Sequence, residues 1–328
     1  MLPAQNSFDD FILLEDDLIF EEKNGLFNNS LNYTIDEYSN ILGTDLKGNK
    51  VSIYSSSGKL INQFGKRGRG PGDFEYPTNT IRTKNGNLLV AEFSGKLSLF
   101  SGNSDSLLKV LNTNVLPLTN IIPLDSNKIL LIGNLLDHKS TKPKLLHIYN
   151  ISNSAIEKSF LELPFDHKDY AQVFRMIAQL SVASIFEDKI IATVTPFSKI
   201  YFFSKNGEFY ESVDLKLKHF KAIKKTTDSF SREKLLEYTT SFSIIDKMYF
   251  MNDGTFLIQY HRTSEIDPNS PDSRTIEYNL AHLDLNGELI FDLNDTPELV
   301  AFDQKTSALF FRGFENNPEY LKKGHLKQ

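Results

Sequence analysis

Two arginines, Arg67 and Arg69, stand inside a run of glycines and prolines, GKRGRGPGDFEYP (65–77), shortly before Asn79 and Arg82. Guanidinium groups on such a loop suit an anion, because each presents a planar fork of donors that matches a carboxylate. Tyr76 beside them adds an aromatic ring with a polar tip. A second set is rich in oxygen: Asn79, Asn120 and Asp246 fall at the starts of separate strand-like segments. Amide and carboxylate oxygens hold hard cations such as calcium, which can polarise a bound ester or lactone. Calcium takes about six oxygens with several carboxylates, and the remaining segments of this kind offer few. The expected site is therefore a polar pocket made by Arg67, Arg69, Tyr76, Asn79, Arg82 and Asn120, with Ser181 nearby and no resident cofactor. A calcium ion on Asn79, Asn120 and Asp246 is the alternative.

Other chemistries lack their residues. The chain has no cysteine, which excludes disulfides, cysteine-ligated zinc, iron–sulfur clusters and thiol nucleophiles. Its seven histidines form neither His-x-His nor His-Glu-x-x-His, and His147 and His282 read as ordinary strand residues. There is no Gly-x-Ser-x-Gly elbow for a serine hydrolase. The glycine run lacks the Gly-Lys-Ser/Thr of a phosphate cradle, and Pro71 and Pro77 forbid the helix that should follow one. A net charge of -6 argues against a nucleic-acid partner. The lysines at 216, 218, 221, 224 and 225 lack interleaved arginines and read as a solvated linker. Glu15, Asp16 and Asp17 read as a solvated hairpin turn.

The elements that must position these residues are short and alternate with period two. NLLVAEF (87–93), KLSLF (96–100), KIIATV (189–194) and TFLIQY (255–260) are examples, rich in β-branched and aromatic residues. Ser57-Gly58, Asn85-Gly86, Asn206-Gly207, Asp253-Gly254 and Asn286-Gly287 supply hairpin turns. A strand–turn–strand unit recurs five times, anchored at Tyr54, Phe100, Tyr149, Phe203 and Leu283, with spacings of 46, 49, 54 and 80 residues. The first three spacings match a four-stranded propeller blade. Six inner strand pairs face five outer pairs, and FILLEDDLIF (11–20) is the candidate for the missing outer strand. The sequence therefore predicts an all-β, six-bladed β-propeller of four-stranded antiparallel blades. The N- and C-terminal strands share the last blade and close the ring. One domain spans 1–328, with insertions at 164–179, 219–240 and 265–275, the first two carrying short helices.

In this frame the opening run is the linker between the first two blades. Phe64-Gly65, the G-x-x-G-x-G-P-G-D-F pattern and Pro77 resemble the linker of NHL repeats. The chain is similar to the NHL- and TolB-like six-bladed propellers of anaerobic Gram-negative bacteria. The likeness is specific over residues 51–100; beyond them only the period and the hairpin pattern carry it. The resemblance implies a non-enzymatic binding protein, exported and lipid-anchored in its full-length form, in the periplasm or at the cell surface. It would act as a monomer and bind a peptide, glycan or protein at the linker face. Some propellers of this kind are metal-dependent hydrolases, lactonases or lyases, which is the alternative function. Residues 1–18 carry acids from Asp9 and no basic residue, so they are not a signal peptide. The leader is expected to be absent from this chain, although a cytoplasmic protein would read the same way. No run is long and apolar enough to span a membrane.

Overall fold

Wherever the sequence alternates, the chain forms strands, and the strands gather in fours. A computed structural model describes residues 7–20, 31–102, 104–135, 143–163, 181–225, 237–238, 240–263, 275–312 and 320–327. Blade one comprises β2 (Leu31–Ile35), β3 (Ile41–Asp45), β4 (Lys50–Tyr54) and β5 (Leu60–Phe64). Blade two comprises β6 (Pro77–Arg82), β7 (Leu88–Glu92), β8 (Lys96–Phe100) and β9 (Leu107–Asn112). Blade three comprises β10 (Val115–Pro123), β11 (Lys128–Leu135), β12 (Lys144–Asn150) and β13 (Ala155–Glu162). Blade four comprises β14 (Ser181–Phe186), β15 (Lys189–Val194), β16 (Lys199–Ser204) and β17 (Phe209–Asp214). Blade five comprises β18 (Ile244–Phe250), β19 (Phe256–Thr263), β20 (Ile276–Leu283) and β21 (Leu289–Thr296). Blade six takes β22 (Leu299–Asp303), β23 (Ala308–Arg312) and β24 (Tyr320–Leu326), and its outermost strand is β1 (Ile12–Ile19).

Among the described residues the strand pairings within the blades are all antiparallel, and β1 runs along β24 from Ile12↔Leu326 to Ile19↔Tyr320. The N-terminal strand thus closes the ring, as the strand count required. Glu15 and Asp17 do not sit in a turn. They lie in β1 around a bulge and pair with Lys323 (2.6 Å) and Lys322 (2.5 Å) of β24. Consecutive acids mimic a turn in sequence, but cross-strand lysines hold them in an extended edge.

Packing explains the pattern. Six apolar clusters fill the six blade interfaces; for example, Leu42, Val51 and Phe64 of blade one meet Leu88, Val90 and Phe100 of blade two. Middle strands are covered on both faces, so β3 (ILGTD) and β7 (LLVAE) are buried throughout. The rim strand β17 (FYESVD) is mostly exposed. The five repeat anchors are the last or next-to-last residues of the third strands and are 0–4% exposed. At each anchor the register to the outer strand shifts, so a bulge recurs there in blades one to five. The hairpin glycines take φ of 74° to 86°. Of the expected insertions, 164–179, most of 219–240 and all but the last residue of 265–275 lie outside the described residues.

The first strand of each blade lines the central channel, entering it from the linker side. That end of the channel is the linker face.

Candidate functional site

The blade-one to blade-two linker is built around Phe74. Its ring is fully buried and lies 6.3 Å from Phe64 and 5.9 Å from Phe100, a burial worth about 2 kcal/mol. Gly65 has φ +97°, and a Cβ there would fall 2.4 Å from the Phe74 ring, so the Phe-Gly pair at 64–65 is a packing requirement. Backbone bonds Phe74 N to Lys66 O (2.9 Å) and Gly68 N to Phe74 O (3.1 Å) fold the loop on itself. Glu92, buried on β7, accepts Glu75 N at 2.7 Å, and Asn49 accepts Tyr76 N at 3.1 Å. These bonds pin the loop, and among the side chains it holds out to solvent are Arg67 and Arg69, both exposed, and Tyr76, 58% exposed at φ +60°. Arg69 Nε donates to Glu75 Oε2 at 2.8 Å.

The other expected residues separate. Arg82 ends β6 at the far end of the channel from the linkers. Its Nε donates to Asp36 Oδ2 at 2.7 Å, with the two side chains only 4% and 0% exposed. Its Nη1 donates to Gly86 O at 2.8 Å, and its guanidinium lies 5.6 Å from the Tyr38 ring centroid. Arg82 is a clamp between blades one and two. Asn79 and Asn120 do correspond: each follows a bulged threonine, Thr78 or Thr119, in its channel strand. Asn120 turns back, its Oδ1 accepting Ile121 N at 2.8 Å. Asn79 is 1% exposed, and neither of its amide atoms has a hydrogen-bond partner among the described residues. In blade five the bulged residue is Asp246 itself, so Lys247, not Asp246, corresponds to the two asparagines. The side chain of Ser181 lies outside the described residues.

Around Asp246 the channel gathers ionisable groups that sequence reasoning did not assemble. His261 Nδ1 lies 2.5 Å from Asp246 Oδ2, with side-chain exposures of 16% and 25%. Tyr278, directly across the ladder from His261, has its ring centroid 5.8 Å from the imidazole. Arg312 Nε donates to Glu298 Oε2 at 2.5 Å at the entrance to β22. Lys247 extends from β18 to Asn32 Oδ1 on β2 at 3.5 Å, and Asn32 Nδ2 donates to Thr78 O at 3.0 Å. Blades five, one and two are thereby connected through polar side chains at the linker end. These groups are enclosed by protein yet touched by water, as expected of a channel wall.

Their environment shifts their protonation. Burial pushes the Asp246 carboxyl above its ordinary range, against the pull of His261. Burial holds the Lys247 ammonium below its ordinary range, against Glu298 and Asp246. Burial, with Glu298 and Asp246 nearby, raises the Tyr278 phenol. Among the described residues no carboxylate lies within ion-pair distance of Lys247, so its ammonium is the charge there best placed to meet a ligand. His261 Nε2 likewise has no protein partner among the described residues. The set fits a divalent cation poorly. Asp246 is occupied by His261 and Asn120 by its own backbone neighbour, and no three His, Asp or Glu side chains converge as ligands among the described residues.

A lysine after an acid within an otherwise apolar channel strand, IIDKMYF, was the available signal. His261, Glu298 and Arg312 carried none, because their convergence depends on blades five and six meeting.

No protein-family model matches the sequence, and no curated protein matches it. Solved structures do share the fold. A member of the DUF4221 family from Bacteroides vulgatus ATCC 8482 superposes with TM-score 0.67 at 9% identity, covering 97% of this chain and 98% of that one. The "Putative exported protein" of Bacteroides fragilis NCTC 9343 gives TM-score 0.65 at 14% identity, covering 98% and 97%. A streptogramin B lyase gives TM-score 0.51 at 12% identity, covering 97% and 99%. At these identities the likeness is one of fold. Among the described residues no helix is long and apolar enough to cross a membrane.

Proposed function

We propose that this propeller binds the carboxylate end of a peptide in the linker-face mouth of its channel. The observation that carries the reading is Lys247, a cation held in the channel with no carboxylate partner among the described residues and stretched to Asn32. An ammonium shifted by burial gains most from an incoming carboxylate, because the ligand restores the charge partner that desolvation removed. Lys247 reaches from blade five to Asn32 of blade one, which favours a chain end over a threaded chain. Tyr76, Arg67 and Arg69, exposed on the pinned linker of the same face, would meet the body of the peptide. Asn120 would border the well below them, with Asn79 buried in the wall behind it.

The NHL-like linker and the fold shared with two Bacteroides proteins, one of them named as exported, support an extracytoplasmic role. In this reading the full-length protein is a monomeric, lipid-anchored envelope protein. The test is a peptide array probed with the full chain, with a glycan array beside it. The expected hits are peptides that lose binding on C-terminal amidation and on Lys247→Met. Hits that ignore both changes, or hits confined to glycans, would overturn the reading.

A second reading rests on the His261–Asp246 pair. A carboxylate on Nδ1 fixes the imidazole and leaves Nε2 facing outward, the arrangement of an oriented general base. The likeness to a streptogramin B lyase supports looking for an elimination or a hydrolysis at this point. Turnover of any ester or lactone that vanishes in His261→Asn, with binding retained, would favour it.

A further inference from the structure

The linker face carries another cleft, between blades four and five, that the channel site does not use. It encloses about 400 Å³, at the small-molecule end of the range for ligand pockets. Lys218, Phe220 and Lys221 come to it from the segment after β17, while Arg262, Glu277 and Asn279 come from blade five. The two sites share a strand pair. His261 and Tyr278 face the blade-six side, and their chain neighbours Arg262 and Glu277, paired in the same ladder, face the opposite side.

The cleft has a built wall. Lys218 N donates to Asp292 Oδ2 at 2.5 Å, and the buried Asp292 also accepts the Tyr260 hydroxyl at 2.8 Å. Lys221 is held from both backbone sides, its N donating to Ser243 Oγ (3.0 Å) and its O accepting Ser243 N (2.8 Å). Phe220 packs on Tyr260, with centroids 5.6 Å apart. A segment fixed this firmly would be expected to satisfy its charges, yet no ion pair joins Lys218 or Lys221 to a carboxylate among the described residues. Lys216, two residues earlier, does pair with Glu288. Arg262 spends Nη2 on Glu277 Oε2 at 2.7 Å and keeps further donors. Asn279, 7% exposed, lines the same space. Three cations thus face one carboxylate at the cleft surface, Glu277, with Asp292 buried behind it, in a chain whose net charge is -6.

We propose that this cleft binds a small oxyanion-bearing molecule, its acid group on Lys218, Lys221 and Arg262 and its body against Phe220. Carboxylate, sulfate and phosphate share the chemistry, and separate titrations distinguish them. The full chain is titrated by calorimetry with glucuronate, inorganic sulfate and inorganic phosphate at constant ionic strength, with glucose as the neutral control. Saturable binding of at least one anion is expected, with glucose silent, and Lys218→Gln/Lys221→Gln should weaken it about tenfold or more. Both lysines are exposed, so the unfolding midpoint should not move, which separates lost binding from lost fold. Lys247→Met should leave this affinity unchanged, keeping the result independent of the channel reading. No saturable binding by any of the three anions below about 10 mM, or binding undiminished in the double variant, would overturn the proposal.

Discussion

His147, on β12, is fully buried, and its ring is engaged at both nitrogens: Nδ1 lies 2.8 Å from Ser159 Oγ, and Nε2 lies 3.1 Å from Gly133 O. A carbonyl can only accept, so the neutral ring carries its proton on Nε2 and accepts the serine hydroxyl at Nδ1. Burial pushes the pKa down from 6.5 to about 4, against the Gly133 carbonyl. The sign follows: below pH 6.5 the unfolded chain takes up a proton that the folded chain refuses. Stability is therefore whole above 6.5, falls as the pH drops towards 4, and levels off below that. The linkage relation puts the loss at about 2 kcal/mol by pH 5 and about 3 kcal/mol by pH 4. Denaturant unfolding of the wild type and of His147→Gln at pH 7, 6 and 5 measures it. The glutamine amide can donate to Gly133 and accept from Ser159 without titrating. Other groups, including His282, which is also lowered by burial, are common to both proteins and cancel in the difference. The wild type should lose about 2 kcal/mol more than the variant between pH 7 and 5. Parallel curves would refute the reasoning, as would a His147 imidazole resonance, identified by its loss in His147→Gln, that titrates near 6.5.

Three further outcomes are expected. Arg82→Met should cost about 3 kcal/mol, because it leaves the buried Asp36 carboxylate without its charge partner, whereas Arg69→Ala, at an 87% exposed side chain, should stay within about 0.5 kcal/mol; urea unfolding of both compares them. Asn79→Leu should raise stability by about 1 kcal/mol, since it replaces a buried amide lacking partners with an apolar group of similar shape, and a loss of stability would mean that the amide is satisfied. Binding of a carboxylate ligand at the channel mouth should weaken as pH rises through the lowered pKa of Lys247, and the pH profile of affinity should flatten in Lys247→Met.

The fold could be read from the sequence because blade architecture repeats locally. The anchors from Tyr54 to Leu283 mark the same buried corner of successive blades, and each hairpin glycine sits at its own turn. Closure by residues 11–20 followed from counting strands. The polar site was less legible. Asp246 stands out in the sequence, but a one-residue bulge puts Lys247 in register with Asn79 and Asn120, and no spacing rule reveals a bulge. Arg82 looks like its exposed neighbours Arg67 and Arg69. Its role depends on Asp36, 46 residues earlier and one blade away. His261, Glu298 and Arg312 become partners of the channel only when two blades meet, which is tertiary information.

The closing strand also has a mechanical meaning. Because β1 and β24 are antiparallel, Ile12 at the start of one lies against Leu326 at the end of the other, so both chain ends leave from the same end of the seam. A pull on the two ends loads the seam in peeling geometry, where ladder pairs separate in succession from Ile12↔Leu326 towards Ile19↔Tyr320. A seam loaded in shear would have to break its pairs together. The ring is thus a fastener that resists thermal opening as a whole but gives way, pair by pair, to tension along its own chain.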